Sequence, residues 1–144
     1  MPGLVVAVTC SEPAAREGLE RFLAEAYADK RPEVVAVPGG SWWLARAAGA
    51  GQSRIKRWAA QSATGAIRES VQGWLSRTGL AAVEIVGHEG CDWYRRQHPH
   101  TSAGDLVRIQ GDDLVTAATE AGRLAPCPVH ARFVTATGDV RTVL

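Results

Sequence analysis

Apolar positions follow two patterns along the chain, and each pattern predicts one kind of element. Short continuous runs of aliphatic residues, such as Leu-Val-Val-Ala-Val-Thr at residues 4–9, are typical of strands buried on both faces. Apolar residues at helical spacing, such as Leu19, Leu23 and Ala26, predict amphipathic helices. These patterns, with one alternating run near the end, predict strands at residues 4–9, 34–37, 82–86 and 129–135. They predict helices at residues 14–28, 66–77 and 105–122, and a short helix or turn at residues 92–97.

The order of these elements predicts the fold. Strands that alternate with helices form a parallel sheet covered by helices on both faces. The turn Thr137-Gly138-Asp139 is followed by a last run at residues 140–144, which we expect to return as a hairpin partner. Residues 45–64 carry no clear pattern. No repeat or linker divides the chain, so residues 1–144 are predicted to form one α/β domain: a mostly parallel central sheet with a C-terminal β-hairpin at one edge.

Composition narrows the classes of function. The chain has 144 residues, 46% of them hydrophobic, which is enough for a substantial core, and its three cysteines do not make a disulfide scaffold. Sixteen basic against fifteen acidic residues give a net charge of +1 and no reason to expect binding to nucleic acid. No run approaches the roughly 18 apolar residues of a spanning helix, and the first run lacks the basic start of a signal peptide. We therefore expect a cytoplasmic protein that binds neither nucleic acid nor membrane.

Three residues suggest a metal site. Cys10 ends the first predicted strand, and His88 and Cys91 follow the third. Because ligands bind beyond the carboxyl ends of parallel strands, all three are expected at one edge of the sheet. Two thiolates and an imidazole suit zinc and leave a fourth position for water or another ligand. The alternative is that Cys10 is a small buried residue and His88 a capping or core histidine. Cys127 fits no ligand motif and is predicted to be inert.

The same residues carry a resemblance to the β-class carbonic anhydrase family. That family has C-x-D-x-R after its first strand and H-x-x-C after its third; this chain has Cys-Ser-Glu-Pro-Ala at residues 10–14 and His-Glu-Gly-Cys at residues 88–91. The helix ahead of strand three and the closing hairpin are also similar, so the resemblance spans nearly the whole chain. It implies Zn2+ held by Cys10, His88 and Cys91, and reversible hydration of CO2 to bicarbonate by a zinc-bound hydroxide. It also implies a homodimer or a higher homo-oligomer.

The chain departs from the family pattern beside these ligands. The family's aspartate is Glu12 here, its arginine is Ala14, and the glycine after the second cysteine is Asp92. In the family the Asp–Arg pair gates the fourth zinc position. Glu12 is long enough to occupy that position and exclude water, whereas Arg16, one helical turn beyond Glu12, is the candidate replacement for the arginine.

Glu12 and Arg16 are therefore the expected catalytic residues, and two functions remain open. One is a zinc-dependent carbonic anhydrase, which is a lyase. The other is a catalytically silent relative, zinc-binding or metal-free, with a binding or structural role. A remote third reading is a cysteine phosphatase, since Cys10 and Arg16 form C-x5-R. It is opposed by the charge of Glu12 and by Pro13, which has no amide donor for phosphate.

Overall fold

One sheet organises the residues that a computed structural model describes, which are residues 3–48, 67 and 69–144. Its strands, in chain order, are β1 (Leu4–Cys10), β2 (Arg31–Val37), β3 (Leu80–His88), β4 (Val129–Val134) and β5 (Val140–Thr142). In space the order is β2-β1-β3-β4-β5. The first four strands are parallel, and β5 pairs antiparallel with β4 at the edge. The predicted α/β class, with its mostly parallel sheet and C-terminal hairpin, is confirmed.

Helices cover both faces of this sheet. They are α1 (Arg16–Ala26, after a 3-10 turn at Pro13–Ala15), α2 (Trp42–Ala48), α3 (residues 69–75), α4 (Asp92–Gln97) and α5 (Ala103–Leu124). Side chains of β1 alternate between the two faces. Val5 and Ala7 pack with α1, whereas Val6 and Val8 pack with α2, α3 and α5. This two-sided burial explains why β1 reads as an unbroken apolar run. Within the described ranges, no helix combines the length and apolar character needed to cross a bilayer.

Element boundaries differ from the predicted ones for local reasons. Strand β2 begins at Arg31 rather than at residue 34, because an edge strand tolerates Pro32. Helix α5 continues through Gly111, and its N-cap is Ser102, whose hydroxyl accepts from the backbone N–H of Asp105 at 3.2 Å. The predicted helix at 66–77 is described over residues 69–75. Most of the patternless segment at residues 45–64 falls within residues 49–66, which lie outside the described residues.

The carboxyl edge of the sheet contains the point where the strand order reverses. From β1 the chain passes to β2 on one side and then to β3 on the other, and a crevice at such a point is the usual ligand site of an open α/β sheet. The β1–β3 pairing extends only to Val8 and Ile85, although both strands continue beyond it. Residues at the ends of β1 and β3 therefore lie around this crevice.

Candidate metal centre

Four side chains converge at this crevice. Cys10 is the last residue of β1, Glu12 follows in the next loop, His88 ends β3, and Cys91 caps the start of α4. Their ligand atoms all lie within 4.8 Å of one another. Cys10, His88 and Cys91 are buried, and Glu12 is partly exposed. The structure thus brings together the three predicted ligands and Glu12, while their role as metal ligands stays a prediction.

The spacing of these donor atoms matches a tetrahedral zinc site. The Cys10 and Cys91 sulfurs are 3.8 Å apart, and Oε2 of Glu12 lies 3.3 Å from the Cys10 sulfur and 3.2 Å from Nε2 of His88. With ordinary zinc bond lengths, a tetrahedron separates two sulfurs by about 3.8 Å, sulfur and oxygen by about 3.6 Å, and nitrogen and oxygen by about 3.4 Å. Three of the six donor distances are therefore close to those of a tetrahedral zinc site, and all six are within 4.8 Å.

The His88 imidazole is oriented as a ligand. Its Nδ1 lies 3.0 Å from the backbone carbonyl of Glu89, so the proton belongs on Nδ1 and a lone pair is left on Nε2. Nε2 is buried and has no hydrogen-bond partner among the described residues; its 3.2 Å approach to Glu12 lacks hydrogen-bond geometry. Buried polar atoms are nearly always paired. This unpaired nitrogen, close to two sulfurs and a carboxylate, is therefore suited to bind a metal ion.

One hydrogen bond joins the Cys10 and Cys91 side chains, and it shifts their pKa values in opposite directions. The hydrogen bond from Cys91 lowers the pKa of Cys10 to about 5, against the opposing effect of burial. His88 and the backbone N–H groups of Glu12 and Gly39 lower that pKa further. The pKa of Cys91 is raised by the same bond to Cys10 and by burial. One sulfur of the pair is therefore held as a thiolate, the form that binds metals.

Glu12 is held by the backbone rather than by an arginine. The N–H of Asp92 donates to both carboxylate oxygens, at 3.1 and 3.0 Å. Burial raises the pKa of Glu12, but this N–H and the two thiols outweigh burial, so the pKa lies below its usual value. For His88, burial lowers the pKa, whereas the nearby Cys10 sulfur raises it, and the net shift is upward. The centre thus combines stabilised negative groups with a basic imidazole.

The loop after β2 closes over Cys10 and requires glycine at two positions. Gly40 has a φ of +51°, and a Cβ there would lie 2.8 Å from the backbone nitrogen of Cys10. Gly39 has a φ of +75°, and a Cβ there would collide with the indole of Trp93. Only glycine combines this backbone conformation with so close an approach. The loop therefore positions the Gly39 N–H that supports the Cys10 thiolate.

Arg16 lies apart from the carboxylate it was predicted to hold. Its guanidinium is 3.6 Å from Glu20, one turn along α1, and no ion pair within the described ranges joins it to Glu12. The N–H of Asp92 is the donor found at the Glu12 carboxylate, and a catalytic role of Arg16 stays a prediction. The Glu12 carboxylate beside the Cys10 sulfur also opposes phosphate binding, so the geometry does not support the C-x5-R interpretation. Cys127 is a partly exposed free cysteine outside the cluster.

Two groups that support the centre were not identified from the sequence. One is the backbone N–H of Asp92, which has no residue-type signature. The other is Gln110, which contacts the backbone of His88. A signal for Gln110 does exist, since it is a lone polar residue between Leu106 and Leu114 on the apolar side of α5.

The chain was compared with known proteins at the levels of sequence and structure. No protein-family model matches it, and no curated protein matches it in sequence. Among solved structures, it is similar to the β-carbonic anhydrase CafA of the fungal pathogen Aspergillus fumigatus, with a TM-score of 0.47 and 14% identity over 98% of this chain and 74% of that one. It is also similar to the β-carbonic anhydrase CcaA, with a TM-score of 0.45 and 12% identity over 99% of this chain and 80% of that one. The likeness is one of backbone trace at low sequence identity.

Proposed function

We propose that the four-residue centre binds zinc and that the protein hydrates CO2 reversibly. The observation that carries this proposal is the buried, unpaired Nε2 of His88, whose ligand atom lies within 4.8 Å of two cysteine sulfurs and a carboxylate oxygen. In the observed geometry that nitrogen has no hydrogen-bond partner among the described residues, and a metal ion bound by the four side chains would satisfy it. The donor set of two sulfurs, one imidazole and one carboxylate is of the kind that zinc prefers.

Each residue has a distinct role in this proposal. Cys10 and Cys91 supply thiolates from opposite sides of the crevice, and His88 supplies a neutral imidazole fixed by the Glu89 carbonyl. Zinc, when bound at such a site, lowers the pKa of a coordinated water to about 7 and so provides hydroxide at neutral pH. The protein contributes the dry surroundings, since Cys10, His88 and Cys91 are only 2–3% exposed.

Glu12 controls whether the fourth position is available. Its carboxylate lies among the other donors, yet both of its oxygens already accept from the Asp92 N–H. Held by that N–H alone, the carboxylate would leave room for a water at a bound zinc and would accept a hydrogen bond from it. As a fourth protein ligand, Glu12 would exclude that water. Activity therefore depends on the balance between these two positions of Glu12.

A cavity beside Cys91 suits a small uncharged substrate. It has a volume of about 330 Å³ and lies between the loop at Gly90 and the first turns of α5. Its wall includes apolar side chains such as Leu106 and Val107, together with Cys91 itself. A non-polar molecule such as CO2 gains from entering apolar surroundings of this kind.

A closed structural zinc site is the second candidate function. It is favoured by the short distances from Glu12 Oε2 to the Cys10 sulfur and to His88 Nε2, 3.3 and 3.2 Å, which already resemble those of a fourth ligand. A site closed by four protein ligands stabilises the fold and does not turn over substrate. The two candidates share the metal and differ in whether Glu12 leaves it.

Stopped-flow hydration of CO2 by the zinc-loaded protein tests the proposal. We expect a rate well above buffer that His88→Ala abolishes, with His100→Ala, an exposed histidine outside the cluster, as the matched control. A folded, zinc-loaded wild type no faster than His88→Ala would overturn the hydratase proposal and leave the structural zinc site.

A double variant separates the two positions of Glu12. Glu12→Asp with Ala14→Arg shortens the carboxylate and supplies an arginine partner from an exposed position. We expect this variant to hydrate CO2 faster than the wild type, because its carboxylate is withdrawn from the metal. An unchanged rate in a folded, zinc-loaded double variant would count against Glu12 as the controlling group.

A further inference from the structure

Gln110 makes a pair of hydrogen bonds directly behind the candidate metal ligand His88. It lies in the middle of α5 and is only 3% exposed. With the side-chain amide oriented to satisfy both groups, its nitrogen donates to the backbone carbonyl of His88 at 2.8 Å. Its oxygen accepts from the backbone N–H of His88 at 3.2 Å. One side chain therefore binds both main-chain polar groups of the residue that carries the imidazole.

These two backbone groups have no strand partner. The N–H of Glu89 donates to Val134 on β4 at 2.9 Å, and polar groups of successive strand residues point to opposite sides. The N–H and C=O of His88 therefore point toward β1, whose pairing with β3 has already ended at Ile85. The Gln110 amide presents a donor and an acceptor there, as a neighbouring strand would.

The residue before His88 allows this contact. A Cβ at Gly87 would lie 3.0 Å from the Gln110 amide nitrogen and 3.0 Å from Leu114. A glycine at this position lets α5 approach the end of β3 closely. The amide is consequently confined between α5 and the strand, and it has little freedom to take another position.

We propose that Gln110 is a positioning residue of the metal centre, which fixes the His88 backbone so that Nε2 points at the other donors. The Glu89 carbonyl fixes the far side of the imidazole through Nδ1. Together the two contacts hold the ligand from its backbone and from its ring. This inference rests on the proposed zinc binding, and it adds a residue that does not itself touch the metal.

The test is metal binding by Gln110→Met, which keeps the length of the side chain and removes both hydrogen bonds. Zinc affinity is measured by competition with a chelator, and Co2+ is the spectroscopic probe of ligand geometry. We expect a 10- to 100-fold loss of zinc affinity, the range typical of groups that orient metal ligands. We also expect the visible absorption bands of the Co2+ protein to change in position or intensity.

Leu114→Val is the matched control, since Leu114 is buried on the same helix and also contacts Gly87. It perturbs packing without removing a hydrogen bond, so its affinity and Co2+ spectrum should remain those of the wild type. Wild-type affinity and spectrum in a folded Gln110→Met protein would overturn the inference.

A second variant covers the case in which Gln110→Met does not fold. Gly87→Ala places a methyl group against the Gln110 amide, and it should shift affinity and spectrum in the same direction by a smaller amount. An unchanged Gly87→Ala protein would also overturn the inference. Failure of the wild type itself to bind zinc or Co2+ would show, before any variant is made, that the proposed function is wrong.

Discussion

Two polar clusters lie along β3, and they differ in whether their buried polar atoms all have hydrogen-bond partners within the cluster. Glu84 is fully buried in the middle of the strand, and His88 is buried at its end. The Glu84 carboxylate accepts from the Tyr27 hydroxyl at 2.5 Å and from Arg132 Nε at 2.9 Å, with Arg132 Nη2 at 3.4 Å. In contrast, Nε2 of His88 has no hydrogen-bond partner in the described part of the chain.

This contrast separates a structural network from a candidate binding site. A buried carboxylate that has a cation and a hydroxyl as partners is complete within the protein. A buried imidazole whose Nε2 has no hydrogen-bond partner and faces two sulfurs and a carboxylate is suited to bind a cation. Both clusters contain a buried polar residue of β3 and a carboxylate, so the unpaired atom is the informative observation.

The largest effect is expected from removing a ligand at the second cluster. His88→Ala should lower zinc affinity by more than about 100-fold, since even changes to groups behind the ligands typically cost 10- to 100-fold. Zinc per chain, measured after dialysis, should fall from near-stoichiometric to near zero, and the Glu84 cluster should keep the protein folded. Retention of tight zinc binding would show that His88 is not a ligand.

The next largest effect is expected from breaking the first cluster. Arg132→Met leaves the buried Glu84 carboxylate without its cation, which typically costs about 3–5 kcal/mol of stability. Urea denaturation should show this loss while zinc affinity stays unchanged, with the exposed Arg123→Met as control. A loss of stability below about 1 kcal/mol would mean that Arg132 does not complete the Glu84 cluster. A parallel loss of zinc affinity would mean that the two clusters are not distinct.

In the second cluster, Glu12 accepts hydrogen bonds from the backbone N–H of Asp92, and a proline at position 92 would remove this donor. Asp92 is the first residue of α4, where proline is favoured, and Cys91 before it has a ψ of 118°, which suits a residue that precedes proline. Asp92→Pro should slow CO2 hydration about 10- to 100-fold, because a hydrogen bond to a charged group contributes about 1.5–3 kcal/mol. Asp92→Ala keeps the N–H and should retain the wild-type rate. Equal rates in the two variants would exclude the N–H as the group that holds Glu12.

The smallest effect is expected from Tyr27→Phe, with a defined dependence on pH. Removing the hydroxyl should cost about 1 kcal/mol at neutral pH, because Glu84 keeps Arg132. Burial and the hydrogen bond to Glu84 raise the pKa of Tyr27 above its usual value. The stabilisation is therefore complete below pH 10 and is lost as the pH rises through the raised pKa. Urea titrations at pH 8 and above pH 10 should show that the free energies of unfolding of the wild type and Tyr27→Phe become more similar as the pH rises. A difference in stability that increases with pH would contradict this.

Much of the fold could be predicted because it depends on apolar periodicity. The unbroken run of β1 and the position of Cys10 at its end follow from the sequence, as does the meeting of Cys10, His88 and Cys91 at one edge. Pro32 obscured the start of β2, since its tolerance depends on the strand lying at the sheet edge, which is a tertiary fact.

The surroundings of the site could not be predicted because they depend on contacts distant in sequence. The N–H of Asp92 holds Glu12 from 80 residues away. Helical spacing suggested Arg16 for this role, yet the helix directs Arg16 toward Glu20. The paired state of Glu84 likewise depends on Tyr27 and Arg132, which lie on other elements.

X-ray absorption at the zinc edge of the purified, zinc-loaded protein tests the central claim most directly. The claim predicts about one zinc per chain, with two sulfur ligands near 2.3 Å and two nitrogen or oxygen ligands near 2.0–2.2 Å. A shell that contains only nitrogen and oxygen, or a protein that retains no zinc after dialysis, would contradict it.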